Sequence, residues 1–308
     1  MTIRKMYSED SLNAVFRTAS DRALSDEGFA EFQRRHLKQA FPAFDYDRST
    51  TSLIETQHET QTVSVESILM NFEASLEEVM ASYMGAVDHD FLAKIVYANP
   101  GRLFLHTDVL EGKLEQHPIF VLHCKKFDIY KDYAIGFNLI AADEYFIAFD
   151  YMGGKENTDW YSIDPVELEY ASFPFALAWL FRRKWISRRI FEQHMIALAG
   201  LTRRRLDKLR RFINRKPGED MGTQAESLGL RRTGYDDPLY EIRDEMLERF
   251  GEDVVALKAA GPLKLEAMEA YVSLLSLMKD QTLPVVAPEG VTLTPAFHGR
   301  QKRTVHDE

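Results

Sequence analysis

The chain has 308 residues, of which 45% are hydrophobic and 28% charged, and these proportions exclude a chain that is disordered throughout. The longest uncharged apolar stretch, residues 170–181, is too short to span a bilayer, and the N-terminus lacks the apolar core of a secretory signal. We therefore expect a cytoplasmic protein without a membrane segment. A single cysteine, Cys124, excludes an internal disulfide and a multi-cysteine metal site.

Charge is distributed unevenly along the chain. The formal net charge is −10, yet residues 182–232 hold fifteen Lys or Arg against five Asp or Glu, a net of +10. The remainder must then carry −20. Such asymmetry indicates a surface for a charged partner, and the alternative is a solvated helical face.

The first part of the chain predicts helices around one strand. Two helices are expected within residues 9–41, the second capped by Ser25. A Thr-rich strand follows at 50–56. Apolar residues that repeat every three or four positions predict a helix over 64–83, and another helix over 89–97 should end at the turn Asn99-Pro100-Gly101.

The next part predicts strands that belong to one sheet. Alternation at 102–106 indicates a strand, after which Thr107 or Asp108 could cap a short helix. Residues 116–127 have a helical pattern. Two further strands are expected at 133–141 and 145–151, joined by a hairpin connection at 142–144.

The second half of the chain has a helical pattern. Asp164 before Pro165 predicts a helix start, and further helices are expected up to a last amphipathic one at 262–280. The proline- and glycine-bearing tail from 283 predicts mostly flexible structure. We therefore divide the chain into an α/β domain at 1–160, a helical domain at 161–282 and a tail at 283–308.

Motifs that would indicate catalysis are absent from the sequence. It contains neither a phosphate-binding glycine loop nor a G-x-S-x-G nucleophile elbow. His117, His123 and Cys124 are spaced too widely along one predicted helix for metal ligands, and Asp88 and Asp90 fall where helix caps are expected. We expect no catalytic residue, no metal site, no cofactor and no enzymatic activity.

Aromatic residues of the first half cluster on the predicted strands and their neighbouring helix. They could form an ordinary core, or they could line a cavity for a small ligand between the sheet and the helices of residues 64–97. In the second case the expected lining residues are Phe104, Phe120, Phe127, Tyr133 and Phe137.

The basic half carries an ordered set of motifs. Residues 201–209, LTRRRLDKL, resemble the opening of the DNA-binding helix-turn-helix of LuxR-type regulators. Residues 223–230, TQAESLGL, are similar to the scaffold helix of that motif, and Ile242 follows at the spacing of a core residue in its recognition helix. The resemblance places a helix-turn-helix at about 201–250.

Residues of the first half recur in the order found in LuxR-type sensing domains. They are Tyr83, Asp90, the Asn99-Pro100-Gly101-Arg102 turn, residues 107–110, and His117-Pro118. The resemblance implies an α+β fold, in which an N-terminal α-β-α sandwich with a central antiparallel sheet precedes the all-helical C-terminal domain. It also implies a homodimer and adds Tyr83 and Asp90 to the expected ligand pocket.

Departures from the family pattern bear on ligand and target. Asp90 is followed by Phe91 where binders of acyl-homoserine lactones have proline, so this ligand is not expected. The expected recognition helix begins with Asp236-Asp237-Pro238, and carboxylates are repelled by DNA phosphates. The basic residues expected to contact DNA instead are Arg203, Arg204, Lys208, Arg211, Arg215, Arg231 and Arg232.

Two functions follow from this sequence. The first is a DNA-binding transcriptional regulator whose N-terminal domain senses a small ligand or a partner. The alternative is a protein-interaction module or anti-regulator, built on a helix-turn-helix scaffold that does not read DNA.

Overall fold

A computed structural model describes residues 7–57, 62–71, 73–110, 114–139, 142–155, 160–199, 285–295 and 297. The predicted helix-turn-helix, the basic residues expected to contact DNA and the helix at 262–280 lie outside these residues. The chain divides into two compact units. One comprises Met1–Arg17 and Leu177–Ser276, and the other comprises Thr18–Ala176 and Leu277–Glu308.

Helices and strands alternate irregularly along the described ranges. In chain order they are α1 (Glu9–Ser20), α2 (Asp26–Ala40), β1 (Arg48–Gln57), β2 (Thr62–Asn71), α3 (Leu76–Met84), α4 (Phe91–Ala98), β3 (Leu103–Leu105), α5 (Pro118–Leu122), β4 (Lys131–Leu139), β5 (Ala142–Gly153), α6 (Pro165–Arg182) and α7 (Arg188–Ala199). None of the described helices combines the length and the apolar composition of a membrane span.

The strands form one five-stranded sheet in the order β2-β1-β5-β4-β3. Every neighbouring pair is antiparallel, which confirms the expected mixture of helices and a central antiparallel sheet. The hairpin connection predicted at 142–144 is wrong, because Ala142 already pairs with Leu139. Strand pairing therefore continues closer to the turn than alternation of the side chains indicates.

The helix predicted over 64–83 is wrong for its first part and confirmed for its last part, Leu76 to Tyr83. Residues 62–71 form β2, which pairs with β1 from Ser49↔Asn71 to Gln57↔Thr62, and α3 begins only at Leu76. A short apolar run fits both periods, and the β-branched start of this segment fits a pleated surface. Pairing with β1 decides the outcome, and Ser75 then caps α3 by accepting a hydrogen bond from the Glu78 amide at 3.2 Å.

Two other predicted helices are shorter than expected. The region 116–127 divides into α5 and a 3₁₀ turn over Cys124–Phe127, which ends at Asp128 in the left-handed conformation with φ 55°. Thr107 and Asp108 lie within a 3₁₀ turn, His106–Asp108, instead of capping the start of a short helix. Asp108 Oδ2 stabilises this turn by accepting from the Leu105 amide at 2.7 Å.

Capping explains why several predicted helices start where they do. Ser25 Oγ accepts from the Gly28 amide at 3.1 Å at the start of α2, and Asp164 Oδ1 accepts from the Val166 amide at 2.9 Å at the start of α6. These side chains satisfy amides that have no partner within the helix. The predicted starts of both helices are confirmed.

One face of the sheet packs tightly against α2 and α6. Phe137 of β4 lies 5.6 Å from Phe173 of α6 between ring centroids. Tyr151 of β5 accepts a hydrogen bond from Gln33 Nε2 of α2 at 3.2 Å and donates one to Ser172 Oγ of α6 at 3.1 Å. We call this side the packed face. Apolar residues of α3, α4 and α5 belong to the clusters on the other side, so helices cover both faces.

Residues 285–295 and 297, which we call the C-terminal strap, pack against this same unit. Asn99 exchanges two hydrogen bonds of 2.8 Å with the backbone of Val286. The Thr294 amide donates to the Asp108 carbonyl at 2.8 Å, and the ring of Phe297 stacks on Phe104 with centroids 5.9 Å apart. The expectation of a mostly flexible tail is therefore wrong for this segment, because specific side-chain contacts hold it.

The other unit is described at α1, the end of α6 and α7. Phe191 of α7 stacks on Phe16 of α1 at 5.3 Å and on Phe181 of α6 at 4.7 Å, both between ring centroids. This aromatic stack joins three helices and is the main described feature of that unit's core.

Candidate functional site

Small side chains occupy the centre of the sheet face opposite the packed face. Strand register pairs Thr50 of β1 with Asp150 of β5, and Ser52 with Ala148. On the other side of β5, Asp150 pairs with Ala134 of β4 and Ala148 pairs with Gly136. Directly paired residues project from the same face. We call this surface the open face, and its residues are Thr50, Ser52, Asp132, Ala134, Gly136, Ala148 and Asp150.

Partial exposure at the middle of the sheet shows that the open face is not filled. Thr50, Ser52, Ala148 and Asp150 are half-buried, although β1 and β5 each have a strand on both sides. On the packed face of the same strands Thr51, Ile147, Phe149 and Tyr151 are buried. Space therefore remains between the open face and the helices that cover it.

Aromatic residues bound this space at one end. A Cβ atom on Gly136 would lie 1.9 Å from the ring of Phe146, so the ring lies across β4 where only glycine allows it. The same ring stacks on Tyr97 of α4 with centroids 4.4 Å apart. At the other end Met152 packs in a cluster that contains Phe120, Cys124 and Phe127.

Hydrogen-bonding side chains lie above and within the open face. Tyr83 of α3 donates its hydroxyl to Asp90 Oδ2 at 2.8 Å, and Asp90 Oδ1 caps α4 by accepting from the Ala93 amide at 2.9 Å. On the sheet, Thr50 Oγ1 donates to Asp150 Oδ2. Asp132 lies on the neighbouring strand, diagonal to Asp150 in the register.

Burial sets the protonation of these groups. It raises the pKa of Asp150 to about 6, with Asp90 adding to the rise and the Thr50 hydroxyl opposing it. Burial, followed by the charges of Asp150 and Asp90, raises the pKa of Asp132 well above its usual range. Burial also raises the pKa of Tyr83 and Tyr97. The site is thus rich in carboxyl groups that resist ionisation.

The structure brings together only part of the expected ligand pocket. Tyr83 and Asp90 contact each other above the open face. Phe120 and Phe127 share a cluster at one end of it. Phe104 lies on the same side of the sheet, but Phe297 of the C-terminal strap covers its ring.

Tyr133 and Phe137 are wrong as members of that pocket. Both project from the packed face, where Tyr133 stacks on Trp160 at 5.6 Å and Phe137 lies against Phe173. Side chains alternate along β4, so residues with odd numbers face away from Ala134 and Gly136. The aromatic cluster of the sequence is thus two clusters on opposite sides of one sheet.

Asp132 and Asp150 were not predicted, although the sequence carries a signal. Asp150 interrupts the apolar run FIAF before Tyr151, and a carboxyl inside a buried strand requires a partner. Strand register was needed to place it beside Thr50 and Asp132 on one face.

Among the described residues, His123 and Cys124 do not form a reactive centre. His123 Nδ1 lies 3.2 Å from Ser82 Oγ, and burial lowers the pKa of His123 to about 4. Burial raises the pKa of the Cys124 thiol, which makes it a poor nucleophile. Within the described part of the chain no three His, Cys, Asp or Glu side chains are grouped so as to hold a metal.

A separate polar cleft of about 530 Å³ lies near the start of β1, lined by Asp47, Arg48, Glu73, Ala74, Lys126, Phe127 and Asp128. Its cations are paired locally. Arg48 Nη2 lies 3.4 Å from Asp128 Oδ2, and Lys126 Nζ lies 3.0 Å from Glu78 Oε1. The pairing leaves little uncompensated charge to attract a ligand, so the space at the open face is the stronger candidate.

The described part of the chain is thus an α+β protein with space over one face of its antiparallel sheet. No protein-family model matches the chain, and no curated protein matches it. Solved structures similar to it include LuxR-family regulators, and the likeness is weak.

The N-acylhomoserine-lactone-dependent LuxR-family transcription factor CepR2 of Burkholderia cenocepacia is 16% identical, with a TM-score of 0.38, and the match covers 57% of this chain and 98% of that one. SdiA of Escherichia coli is 12% identical, with a TM-score of 0.36, and the match covers 88% of this chain and 98% of that one. SdiA in complex with octanoyl-rac-glycerol is 12% identical, with a TM-score of 0.38, and the match covers 88% of this chain and 96% of that one.

Proposed function

We propose that this chain is a transcriptional regulator that binds DNA through residues 201–250 and senses a small ligand or a partner through its α/β domain. The observation that carries the proposal is the order of the LuxR-type motifs in the sequence, of which residues 201–209 and 223–230 fall within the segment where basic residues concentrate. The α/β domain supports it with space for a ligand beside Tyr83 and Asp90.

Phosphate contacts account for the proposed DNA affinity. Arg203, Arg204, Lys208, Arg211 and Arg215 recur at spacings that place them on one broad face of a helix. Neutralising a phosphate releases counterions, so each contact adds affinity that decreases with salt and does not depend on sequence. Arg231 and Arg232 add two further cations after the scaffold helix.

The ligand proposed for the α/β domain is not an acyl-homoserine lactone. Phe91 follows Asp90 in place of the proline of those binders. The side chains that project into the space are mostly polar or very small, and two of them are carboxyls.

A DNA titration of matched variants tests the proposal. Replacing Arg203, Arg204, Lys208 and Arg211 by alanine should weaken binding to all sequences and reduce the slope of log affinity against log salt by about one per lost contact. The control replaces four basic residues of the α/β domain by alanine: Arg22, Arg35, Lys125 and Lys155. It removes the same charge, so an equal loss in both variants would show that only net charge matters.

A protein-interaction module is the second candidate function. Asp236 and Asp237 stand where the recognition helix would approach phosphates, and this observation favours a scaffold that no longer reads DNA. Replacing both by asparagine should strengthen DNA binding if the helix approaches phosphates. Failure of the unmodified protein to bind genomic fragments at low salt would favour the interaction module.

A further inference from the structure

The C-terminal strap returns the chain to the unit that contains the sheet. This unit, which we call the sheet unit, comprises Thr18–Ala176 and resumes at Leu277, so that Leu177–Ser276 are inserted between two parts of it. The proposed DNA-binding residues 201–250 lie within this insertion. They are therefore attached to the sheet unit at both ends, through α6 before them and through the strap after them.

Both attachments are made at β3 and the turn that follows it. On the α6 side, Glu169 Oε1 accepts a hydrogen bond from the Leu103 amide at 2.8 Å. On the strap side, the Thr294 hydroxyl donates to the Thr107 carbonyl at 2.6 Å. Residues 103 and 107 belong to the edge strand of the sheet and its following turn. The strap thus closes the inserted chain into a loop that starts and ends at one edge of the sheet.

The strap is held by contacts that can open while the sheet stays folded. Among the described residues the sheet consists of β1–β5, so the strap is not one of its strands. Val286 and Thr294 supply its hydrogen bonds to the sheet unit, and Val291 and Phe297 supply its buried apolar side chains. Ordering such a segment costs backbone entropy, which these contacts must outweigh. Segments with few buried contacts open locally in otherwise folded proteins.

Charge gives the release of the strap a predicted direction. Residues 18–176 contain twelve Lys or Arg against 27 Asp or Glu, a formal net of −15, whereas residues 182–232 carry +10. Carboxylates attract the same cations that DNA phosphates attract. Attachment at both ends raises the effective concentration of these carboxylates around the basic segment. A docked strap should therefore weaken DNA binding, and its release should strengthen it.

We propose that the C-terminal strap is an autoinhibitory tether, docked on the sheet unit in the free protein and released when residues 201–250 bind DNA. The inference rests on the proposed function, because it concerns the regulation of that DNA-binding segment. The Phe297 ring packs in the same cluster as Val96 of α4 and Ala134 of the open face. A change of packing that loosens this cluster also frees the strap, so the strap connects the interior of the sheet unit to DNA binding.

DNA titration of full-length strap variants tests the inference. Phe297→Ala removes a buried ring that holds the strap, and it should bind genomic fragments about fivefold or more tightly at low salt, the lower end of usual coupling between sites. Val286→Ala is the control and should leave the affinity unchanged, because that side chain is 56% exposed and its strap contact is made by the backbone. The gain should diminish at high salt, which screens the carboxylates.

Hydrogen exchange of the unmodified protein supplies a readout that needs no variant. The amides of Val286 and Thr294 both donate to the sheet unit when the strap is docked. Both should exchange faster when the protein is saturated with DNA, because binding releases the strap. The Leu103 amide, which donates to Glu169 on the α6 side, is the internal control and should keep its exchange rate.

Two results would overturn the inference and leave the proposed function intact. One is equal or weaker DNA binding by Phe297→Ala, and the other is DNA binding that leaves the exchange of both strap amides unchanged. If Phe297→Ala misfolds, as circular dichroism would show, the exchange measurement on the unmodified protein decides alone. An absence of DNA binding by the unmodified protein at low salt would instead overturn the proposed function, and this inference with it.

Discussion

Asp150 makes the stability of the α/β domain dependent on pH in an unusual direction. Its carboxyl lies between β1 and β4 on the open face, and burial raises its pKa from 3.8 to about 6. The folded state therefore retains a proton that the unfolded chain has already released. The stabilising contribution is complete below pH 3.8 and is lost as pH rises through about 6.

The magnitude follows from linkage. A shift of about two pH units, at about 1.36 kcal/mol each, gives about 3 kcal/mol as an upper limit. The groups that face Asp150 from the surrounding elements also contribute to its titration; they are Thr50, Asp132, Asp90, Tyr83 and Tyr97. Coupling to Asp132 spreads the change over two steps.

Asp150→Asn isolates this effect. The amide keeps the shape of the side chain and an oxygen that accepts from the Thr50 hydroxyl, but it does not titrate. Between about pH 4 and about pH 8 the unmodified protein should lose up to about 3 kcal/mol more free energy of unfolding than the variant. Urea unfolding followed by circular dichroism at both pH values measures this difference, with Asp88→Asn as the control.

Parallel stability curves for the unmodified protein and Asp150→Asn would refute the reasoning. They would mean that the carboxyl ionises in the folded protein as readily as in the unfolded chain. The electrostatic account of the carboxyl groups on the open face would then be wrong.

Three further results are expected. Gly136→Ala should destabilise the protein by about 1–3 kcal/mol, because the added Cβ meets an aromatic ring at 1.9 Å, whereas Gly85→Ala meets only ordinary contacts and should change urea unfolding little. Phe297→Ala should release the C-terminal strap at a cost of about 3 kcal/mol, seen as faster hydrogen exchange at the Thr294 amide; unchanged exchange would show that the ring does not hold it. Light scattering should give a homodimer, which the apolar stripe at 262–280 favours, and a monomer at micromolar concentration would contradict this.

Local signals in the sequence predicted much of the fold. Caps at Ser25 and Asp164 located two helix starts, and alternation located β4 and β5. The helix prediction for the first part of 64–83 failed because the apolar residues there fit a helical period as well as a strand. Only pairing with β1 distinguishes the two. Pairing is a long-range interaction that a periodic pattern does not contain.

The candidate site was less predictable for the same reason. Tyr83 and Asp90 follow from a motif, but Asp132 and Asp150 matter only because strand register places them on one face. Composition also misled at the C-terminal strap. Its two prolines and one glycine are typical of a flexible tail. Its order instead depends on hydrogen bonds and ring contacts with residues about 190 positions earlier, among them the hydrogen bond from the Thr294 hydroxyl to the Thr107 carbonyl.

Binding of the full-length protein to DNA at two salt concentrations tests the central claim most directly. Fluorescence anisotropy with genomic fragments should show binding that weakens steeply with salt, and replacing Arg203, Arg204, Lys208 and Arg211 by alanine should reduce that slope by about four. The variant with Arg22, Arg35, Lys125 and Lys155 replaced should keep the original slope. No binding of the unmodified protein at low salt would contradict the claim that this chain is a DNA-binding regulator.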